Sequence, residues 1–446
     1  MKNILILAYD FPPYVSVGGM RPYNWYRYFK EFGVNPVVIT RQWSNHFGNQ
    51  LDYIAPSDSN DLIIEETQYG SIYRTPYRPN LSNRLLLKYG EKKFKIFRKL
   101  ISGYFEFTQY VFNVGPKKEI YYCAKEYLRK NKVDAIIATG DPFVLFSYAS
   151  QLSDEFNIPW IADYRDCWVQ DKTRSGNFLL KQWNAFFERK YIRNVFKITT
   201  VSSFIQKQLE QNITNKPFEI IHNGFDPEVK TKASKILQQN NKMTIAFAGT
   251  IYKWHPMEDF LNVCNELINS SEIKHFQLEL YGINIPTEIG SIIDKRFPNL
   301  KSSVFIFPKL DNETLSNKLA QANAFLLFND YSILGTKIFT YLGLKRKIIL
   351  CFSEDTDAID LKKKYYNLQE FDSESKMLQQ EVIESTNSGV VVKNKAHLKQ
   401  VLTDLNTELF ETGKIECNSH GIENYSRKIQ VEKLAGIIKS IDLINE

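Results

Sequence analysis

The sequence is poor in cysteine and shows no cysteine pattern. Its five cysteines among 446 residues stand singly, without a CxxC spacing, which argues against both a disulfide framework and a zinc site. No stretch approaches the ~20 consecutive apolar residues that a membrane span requires. The first apolar run, residues 4–8, is stopped by Asp10 and Pro12 well short of a signal-peptide core. We therefore expect a cytoplasmic protein with reduced thiols, and we predict neither a metal site nor a cofactor.

Two common nucleotide-binding motifs are also absent. The pair Gly18 and Gly19 belongs neither to a GxGxxG fingerprint nor to a Walker loop, so a dinucleotide or P-loop assignment fails. No short internal repeat or low-complexity tract is evident. The composition is that of an ordinary globular protein, 43% hydrophobic and 24% charged, with a high aromatic share of 14%. At this length, two domains of roughly 200 residues each are the default expectation.

One region of the chain is strongly basic. Residues 84–132 hold thirteen lysines and arginines against four glutamates, a local charge of +9 within a total of +7. The region includes KKFKIFRKLISGYFEFTQYVF, which resembles a basic amphipathic helix able to lie on an anionic membrane surface. The alternative is a solvated helix whose apolar side packs on its own domain. No RNA or DNA motif accompanies the charge, so we predict no nucleic-acid partner.

Short apolar runs alternate with helical stretches along the chain, which is typical of parallel sheets covered by helices on both faces. A first series has predicted strands at 4–8, 36–40, 134–138, 160–162, 198–201 and 219–221, with a helix at 21–32. After the polar segment 230–242, a second series has predicted strands at 244–248, 277–281, 304–307, 324–328, 347–352 and 389–392, and helices that begin near Pro256, Asp311, Thr336 and Lys395. We therefore predict an α/β protein with two Rossmann-like domains.

In the first series, polar residues follow the strands, where sheets of this kind bind their ligands. Gly18 and Gly19 precede a helix N-terminus and suit an anion, with a plain flexible turn as the alternative. Asp163, Arg165 and Asp166 lie in ADYRDCW and suit sugar hydroxyls or a hydroxyl nucleophile. A structural Asp–Arg pair that holds the loop is the other interpretation.

Two strand ends of the second series carry lysines. Gly249 and Thr250 end a strand, and Lys253 then suits a phosphate or is simply a surface lysine. Lys337 stands in the first turn of a predicted helix, where the helix dipole disfavours a cation by roughly 0.3–1 kcal/mol. A charge-assisted bond to phosphate contributes about 1.5–3 kcal/mol, which outweighs that cost. We therefore predict that Lys337 binds a phosphate.

Taken in order, several fragments resemble the GT-B glycosyltransferases, in particular the retaining, nucleotide-sugar-dependent family 4. The fragments are DFPPYVSVGG, YRDCW, TVSSFIQKQL, IIHNGFD, AFAGTIY, TKIFTYLGLKRKIIL and NYSRKIQVEKLAGII. The resemblance runs along nearly the whole chain and implies two Rossmann-like domains that face each other across a cleft. It implies an acceptor-side domain of residues 1–235, completed by a C-terminal helix at 421–446, and a nucleotide-sugar-binding domain of residues 236–420.

The function that this resemblance implies is a sugar transfer with retention from a nucleoside diphosphate sugar to a glycan or lipid-linked acceptor. Surface polysaccharide or glycan biosynthesis is the expected setting, with the basic segment 84–132 at the inner face of the membrane. The resemblance implies that Lys337, Asp163, Arg165 and Asp166 are catalytic. The donor-binding positions that it implies are Gly18, Gly19, Gly249, Thr250, Lys253, Gly282, Lys309, Thr336, Thr340 and Tyr341.

Four positions depart from the family pattern. The usual pair of glutamates separated by seven residues is missing, because Ser332 and Thr340 stand in their places. The carboxylate that would hold the ribose is therefore absent unless Asp330 or a hydroxyl substitutes. Thr250 replaces an expected phosphate-binding arginine, and His255 stands where the family has a lysine. The alternatives are a non-catalytic GT-B scaffold subunit of a glycan assembly complex and a nucleotide-sugar epimerase.

Overall fold

The computed structural model describes residues 1–14, 16–43, 51–169, 178–366, 368, 370 and 376–441. The chain divides into two compact units. Unit 1 is Met1–His222 together with the chain from Gln430 onward, and unit 2 is Asn223–Ile429. The chain passes between the units after residue 222 and after residue 429. The boundaries expected from the sequence lie after residue 235 and after residue 420.

Unit 1 contains an eight-stranded sheet in the order β3-β4-β2-β1-β5-β6-β7-β8. Its strands are β1 Lys2–Leu7, β2 Val34–Arg41, β3 Ile63–Thr67, β4 Gly70–Thr75, β5 Ala135–Gly140, β6 Trp160–Tyr164, β7 Lys197–Thr200 and β8 Phe218–Ile220. Neighbouring strands are parallel except for the pair β3 and β4. Ile4 and Ile6 pack into the core on one face of the sheet, while Leu5 and Leu7 pack into the core on the other. A parallel sheet with both faces covered requires such continuous apolar strands.

Unit 2 contains a six-stranded parallel sheet in the order β11-β10-β9-β12-β13-β14. Its strands are β9 Met243–Ala248, β10 Phe276–Tyr281, β11 Val304–Phe307, β12 Ala324–Phe328, β13 Lys347–Cys351 and β14 Gly389–Val392. All twelve strands predicted from the sequence are present, and each predicted end lies within two residues of the observed one. The prediction of two parallel-dominated α/β sheets is confirmed.

Helices connect the strands of both units. They are α1 Val17–Tyr28, α2 Leu81–Tyr89, α3 Lys95–Phe112, α4 Lys118–Lys130, α5 Val144–Phe156, α6 Phe178–Ile192, α7 Ser203–Glu210, α8 Pro227–Ala233, α9 Met257–Asn269, α10 Pro286–Arg296, α11 Asn312–Gln321, α12 Thr336–Leu344, α13 Thr356–Tyr365, α14 Leu378–Thr386, α15 Lys395–Thr412 and α16 Arg427–Lys439. Among these described helices, none combines the length and the apolar character needed to cross a bilayer.

The strand order of each sheet reverses direction once. In unit 1 the chain moves outward from β1 through β2 and then returns to the other side of β1 with β5. In unit 2 it moves outward from β9 through β10 and returns beside β9 with β12. Ligands of open α/β sheets bind beyond the carboxyl ends of the strands at this point of reversal. The candidate sites are therefore the loops after β1 and β5 and the loops after β9 and β12.

Two local features differ from the sequence-based expectation. Helix α1 begins at Val17, so Gly18 and Gly19 lie inside its first turn rather than before it, and Ser16 caps the helix by accepting a hydrogen bond from the Gly19 amide. The hairpin of β3 and β4 was not predicted. Its first strand is largely exposed at the edge of the sheet, so its residues lack the buried apolar run by which the other strands are identified.

Candidate active site

Lys337 lies at the point of strand reversal in unit 2. It is the second residue of α12, and its ammonium donates a 2.6 Å hydrogen bond to the carbonyl oxygen of Thr250 in the loop after β9. The ammonium also lies 4.3 Å from the centre of the Phe247 ring. Gly249 has a positive φ of 95°, and a Cβ atom there would come within 3.2 Å of the Lys337 side chain. The fold thus brings together Gly249, Thr250 and Lys337, which the sequence analysis had selected separately.

The charge of Lys337 is only partly compensated. Burial lowers the pKa of its ammonium to about 8, and the more distant charge of Asp330 opposes this shift. Within the described residues no ion pair joins Lys337 to a carboxylate, and its ammonium contacts a carbonyl oxygen and aromatic rings. A desolvated ammonium without a counter-ion favours an anion beside it.

The carboxylate of Asp330, which follows β12, already accepts hydrogen bonds from neighbouring side chains. Its Oδ1 accepts hydrogen bonds from His255 Nε2 at 2.8 Å and from Trp254 Nε1 at 3.1 Å. The Tyr252 amide donates to His255 Nδ1, so the ring proton resides on Nε2. Burial lowers the pKa of His255, although the bond to Asp330 opposes the shift. The neutral histidine and the aspartate therefore hold the β9 and β12 loops together, a contact that the sequence analysis missed.

The residues that follow Lys337 on α12 differ in their surroundings. Tyr341 is buried, stacks on Phe325 and accepts a hydrogen bond from the Ala248 amide, so it supports the end of β9 from below. Thr336 and Thr340 are half-buried. Tyr341 was expected to contact the donor, and its burial leaves it a supporting role instead.

The remaining predicted donor residues also lie at strand ends. Gly282 follows β10 with a φ of +58°, and a Cβ atom there would contact the backbone of Lys309 at 3.3 Å. Lys309 follows β11 and is exposed. Lys253 is exposed as well, with its ammonium 5.9 Å from the Tyr365 ring centre. These residues lie at the same carboxyl edge of the sheet as Gly249.

A carboxylate reaches Ser332 from a distant part of the chain. The Ser332 hydroxyl donates to Glu370 Oε1 at 2.7 Å, and Lys362 donates to the other oxygen at 2.8 Å. Ser332 stands at a position where the family resemblance implies a glutamate. Glu370 was not selected from the sequence, because nothing in its neighbourhood predicts the 38-residue contact.

In unit 1, Asp163 is wholly buried. It still belongs to β6, and its carboxylate pairs with the Arg21 guanidinium at 2.7 Å and accepts from the hydroxyls of Thr139 and Thr199. Arg21 in turn donates to the Ile221 carbonyl oxygen. The sequence analysis expected Asp163 to face a ligand. With 0% of its side chain exposed, it instead matches the structural Asp–Arg alternative, with Arg21 rather than Arg165 as the partner.

Arg165 lies at the strand reversal of unit 1. Its guanidinium donates to the carbonyl oxygens of Gly140 and Asp141 after β5, both at 2.6 Å. A Cβ atom on Gly18 would come 1.7 Å from Arg165 Nη1, so the guanidinium packs directly on the first turn of α1. Asp166, the next charged residue, is exposed. Arg165 and Gly18 thus form one cationic helix-end group, and Asp163 holds the strand beneath it.

Helix α3 has an exposed apolar stripe. Ile96, Leu100, Tyr104, Phe107 and Val111 recur at intervals of three or four residues and are all exposed, Ile96 by 78% and Leu100 by 68%. Tyr110 is the buried residue of this helix. The alternative in which the apolar side packs on its own domain therefore fails for this stripe.

Comparison with known proteins decides the fold. The model of Glycosyltransferase Family 4 matches residues 113–229. Sucrose-phosphate synthase from Thermosynechococcus elongatus superposes with a TM-score of 0.59 at 13% identity, covering 100% of both chains. Anabaena Alr3699/HepE in complex with UDP gives 0.53 at 11% identity, covering 99% of this chain and 100% of the other. This is the GT-B glycosyltransferase fold.

A third GT-B structure agrees. The catalytic domain of starch synthase IV from Arabidopsis thaliana, bound to ADP and acarbose, superposes with a TM-score of 0.54 at 11% identity, covering 99% of this chain and 98% of that one. No curated protein sequence matches the chain. The family match and the fold support a glycosyltransferase.

Proposed function

We propose that the protein transfers a sugar, with retention of configuration, from a nucleoside diphosphate sugar to a glycan or lipid-linked acceptor. The observation that carries this proposal is the half-buried Lys337, whose ammonium has no carboxylate partner among the described residues, at the point where unit 2 would bind its ligand. Two of the structural neighbours are complexes with nucleoside diphosphates, which supports the same ligand class here.

In the proposed reaction, Lys337 stabilises the charge that develops on the leaving diphosphate. The acceptor oxygen forms a bond to the anomeric carbon on the face from which the carbon–phosphate oxygen bond breaks. The proton of the acceptor hydroxyl passes to the departing phosphate oxygen, so no separate base is required. A preorganised cation in a water-poor site acts on the transition state without reorganisation, which is the largest contribution that many enzymes make.

Further residues of unit 2 complete the proposed donor site. Gly249 allows close approach of the diphosphate because it presents no side chain beside Lys337. Thr336 and Thr340 present hydroxyls on α12. The ends of β10 and β11, at Gly282 and Lys309, form the expected binding place for the nucleobase. Thr250 and Lys253 contribute from the loop after β9. Tyr341 contributes indirectly, because it supports the end of β9.

In unit 1, we assign the anion-facing role to Arg165 with Gly18 and Gly19. The Gly18 amide at the start of α1 and the adjacent guanidinium present positive charge there, while the Gly19 amide donates to the Ser16 cap and Gly19 contributes by the absence of a side chain. Asp166 is exposed and available to a sugar hydroxyl. Asp163 acts indirectly, by holding Arg21 and the end of β6, rather than as a residue that touches substrate.

The exposed stripe of α3 supports a peripheral contact with a membrane. An exposed apolar stripe of this size is unusual on a monomer. Basic residues cluster just before the helix and in its first turns, namely Lys92, Lys93, Lys95, Arg98 and Lys99. Lysines near an anionic leaflet contribute about 1 kcal/mol each. We infer that α3 lies on the inner face of a membrane, which favours a lipid-linked acceptor and a role in surface polysaccharide or glycan biosynthesis.

The test is the turnover of nucleotide sugars by purified full-length protein. A panel of UDP, GDP and ADP sugars would be assayed for release of nucleoside diphosphate, with the wild type and Lys337→Met. We expect the substitution to lower kcat by about 10²–10³, as for loss of one electrostatic group at a developing charge. Lys318→Met, an exposed lysine on α11, is the matched control and should have no effect.

Two results would contradict the proposal. Undiminished turnover in the Lys337→Met protein would remove the role of that lysine. If no nucleoside diphosphate binds in calorimetry, the non-catalytic scaffold becomes the better interpretation.

A further inference from the structure

Unit 1 contains a cavity of about 390 Å³ between α3, α6 and the loops after β5 and β6. This volume lies at the small end of the range for ligand pockets and suits a single ring rather than a long ligand. One wall is the loop residue Asp141, whose carbonyl oxygen accepts from Arg165. The cavity therefore adjoins the group of Arg165 and Gly18 but is built from other residues.

Lys117 supplies the first polar feature of this cavity. Its side chain is half-buried, and burial lowers the pKa of its ammonium. Among the described residues, no hydrogen bond or ion pair engages this ammonium, which lies 5.4 Å from the centre of the Tyr9 ring. A partly buried donor without an acceptor is costly unless a ligand or water supplies one.

Asn184, on α6, supplies the second feature. Its Oδ1 is buried and accepts no hydrogen bond from any described residue. The cavity thus presents one unpartnered donor, at Lys117, and one unpartnered acceptor, at Asn184. A hydroxyl group donates and accepts at once, so a ligand with several hydroxyls satisfies both.

Aromatic rings form another wall. Trp168 stacks parallel to Phe143 with ring centres 5.3 Å apart, and Tyr110 lies 5.1 Å from Trp168. Each of these residues is at most 6% exposed, and all three line the cavity. Apolar walls with a few convergent polar groups are typical of small-molecule sites.

The charges in the wall distinguish between a neutral and an anionic ligand. Lys117 and Lys181 are matched by the carboxylates of Glu106 and Asp141, and both carboxylates act on the Lys117 ammonium. A phosphate placed here would meet two carboxylates as well as two ammonium groups. The formal charge of the wall is therefore zero, which favours an uncharged polyhydroxyl ligand.

We propose that this cavity, the Lys117 pocket, binds the neutral sugar ring at the end of the acceptor. The inference rests on the proposed function, because it takes the pocket as the acceptor side of a sugar transfer. Lys117 donates to one hydroxyl, Asn184 accepts from another, and the rings of Trp168 and Tyr110 pack against the carbon face of the sugar.

The experiment uses full-length protein and ligand-observed NMR titrations. The probes are the α- and β-methyl glycosides of glucose, galactose, mannose and N-acetylglucosamine at millimolar concentration, with inorganic phosphate as a competitor. We expect at least one glycoside to bind. Lys117→Met and Asn184→Ala should each weaken that binding by about tenfold or more, the loss expected for one strong hydrogen bond. Lys118→Met changes the neighbouring exposed lysine and should leave binding unchanged.

Three results would overturn the inference: no glycoside binds the wild type, phosphate displaces the glycoside, or both pocket variants bind as well as the wild type. Calorimetry with nucleoside diphosphates on the same samples separates this inference from the proposed function. Nucleotide binding without glycoside binding rejects the pocket alone. Glycoside binding without any nucleotide binding rejects the proposed function alone.

Discussion

The Lys337 ammonium and the Thr250 carbonyl oxygen are joined by a 2.6 Å hydrogen bond across 87 positions of sequence. Thr250 follows β9 and Lys337 is the second residue of the helix after β12, so the bond links the ends of the two neighbouring strands at which unit 2 reverses direction. Because the carbonyl carries no net charge, it orients the ammonium without neutralising it. The positive charge of Lys337 therefore remains available to an anion.

Nucleoside diphosphate binding should weaken above about pH 8. Burial lowers the pKa of Lys337 from 10.5 to about 8, so in the free protein the ammonium loses its proton as the pH rises through that value. We expect the Kd measured by calorimetry to rise by up to about tenfold per pH unit above this point. Lys337→Arg keeps its charge in this range and should abolish the dependence. A wild-type Kd that stays constant across the same range would count against a phosphate-binding Lys337.

Asp163→Ala should destabilise the protein strongly. The substitution leaves the Arg21 guanidinium buried without its counter-ion, and breaking a buried ion pair in this way costs about 3–5 kcal/mol. Urea unfolding followed by tryptophan fluorescence would measure the loss. Asp166→Ala changes an exposed aspartate and should alter the free energy of unfolding by less than about 0.5 kcal/mol. An Asp163→Ala protein that is as stable as the wild type but inactive would return Asp163 to the catalytic group.

Gly18→Ala should impair activity through Arg165. The new Cβ atom would lie 1.7 Å from Arg165 Nη1, so the guanidinium must leave the carbonyl oxygens that hold it. A displacement of this size costs on the order of a hundredfold in rate. The double variant Gly18→Ala/Arg165→Ala should be no worse than Arg165→Ala alone, because both changes remove the same group.

Gly103→Ala is the control for that experiment. A Cβ atom on Gly103, within α3, has no neighbour inside 4 Å, so turnover should remain unchanged. Full turnover in the Gly18→Ala protein, measured alongside it, would show that the position of Arg165 does not matter.

Membrane binding should depend on the apolar stripe of α3. We expect the protein to sediment with vesicles that contain anionic phospholipid, and to do so less as salt is raised. Ile96→Asp/Leu100→Asp should reduce the partition coefficient by at least about tenfold, since it removes two apolar anchors and adds two negative charges. Leu237→Asp changes an equally exposed leucine of unit 2 and should have no effect. Equal sedimentation of all three proteins would exclude α3 as the membrane surface.

The strand pattern was sufficient to predict the strand ends at which the candidate site is built, but not which side chains are exposed there. Gly249 could be selected because it directly follows a predicted strand, and Lys337 because it lies in the first turn of a predicted helix. Asp163 was misjudged because β6 continues two residues beyond the predicted end at Ala162. In a sheet covered on both faces, side chains alternate between the faces and remain buried along the whole strand. An error of two residues in the predicted strand end therefore made a buried carboxylate look like one that faces a ligand.

The contacts made between distant segments could not be predicted at all. His255 and Asp330 are 75 residues apart, and Ser332 and Glu370 are 38 residues apart. The Lys117 pocket likewise combines residues from three helices and three loops. Single-sequence periodicity reports which face of an element is buried, but it contains no information about which elements meet.

Helix α3 contributes to two surfaces at once. Its apolar stripe is exposed on one face, whereas Glu106, Gln109 and Tyr110 line the Lys117 pocket on another. If the stripe rests on a bilayer, the pocket stands off from the lipid by no more than one helix diameter, ~10 Å. An acceptor sugar would then reach the pocket only if it projected that far above the membrane, independently of what the pocket recognises in that sugar.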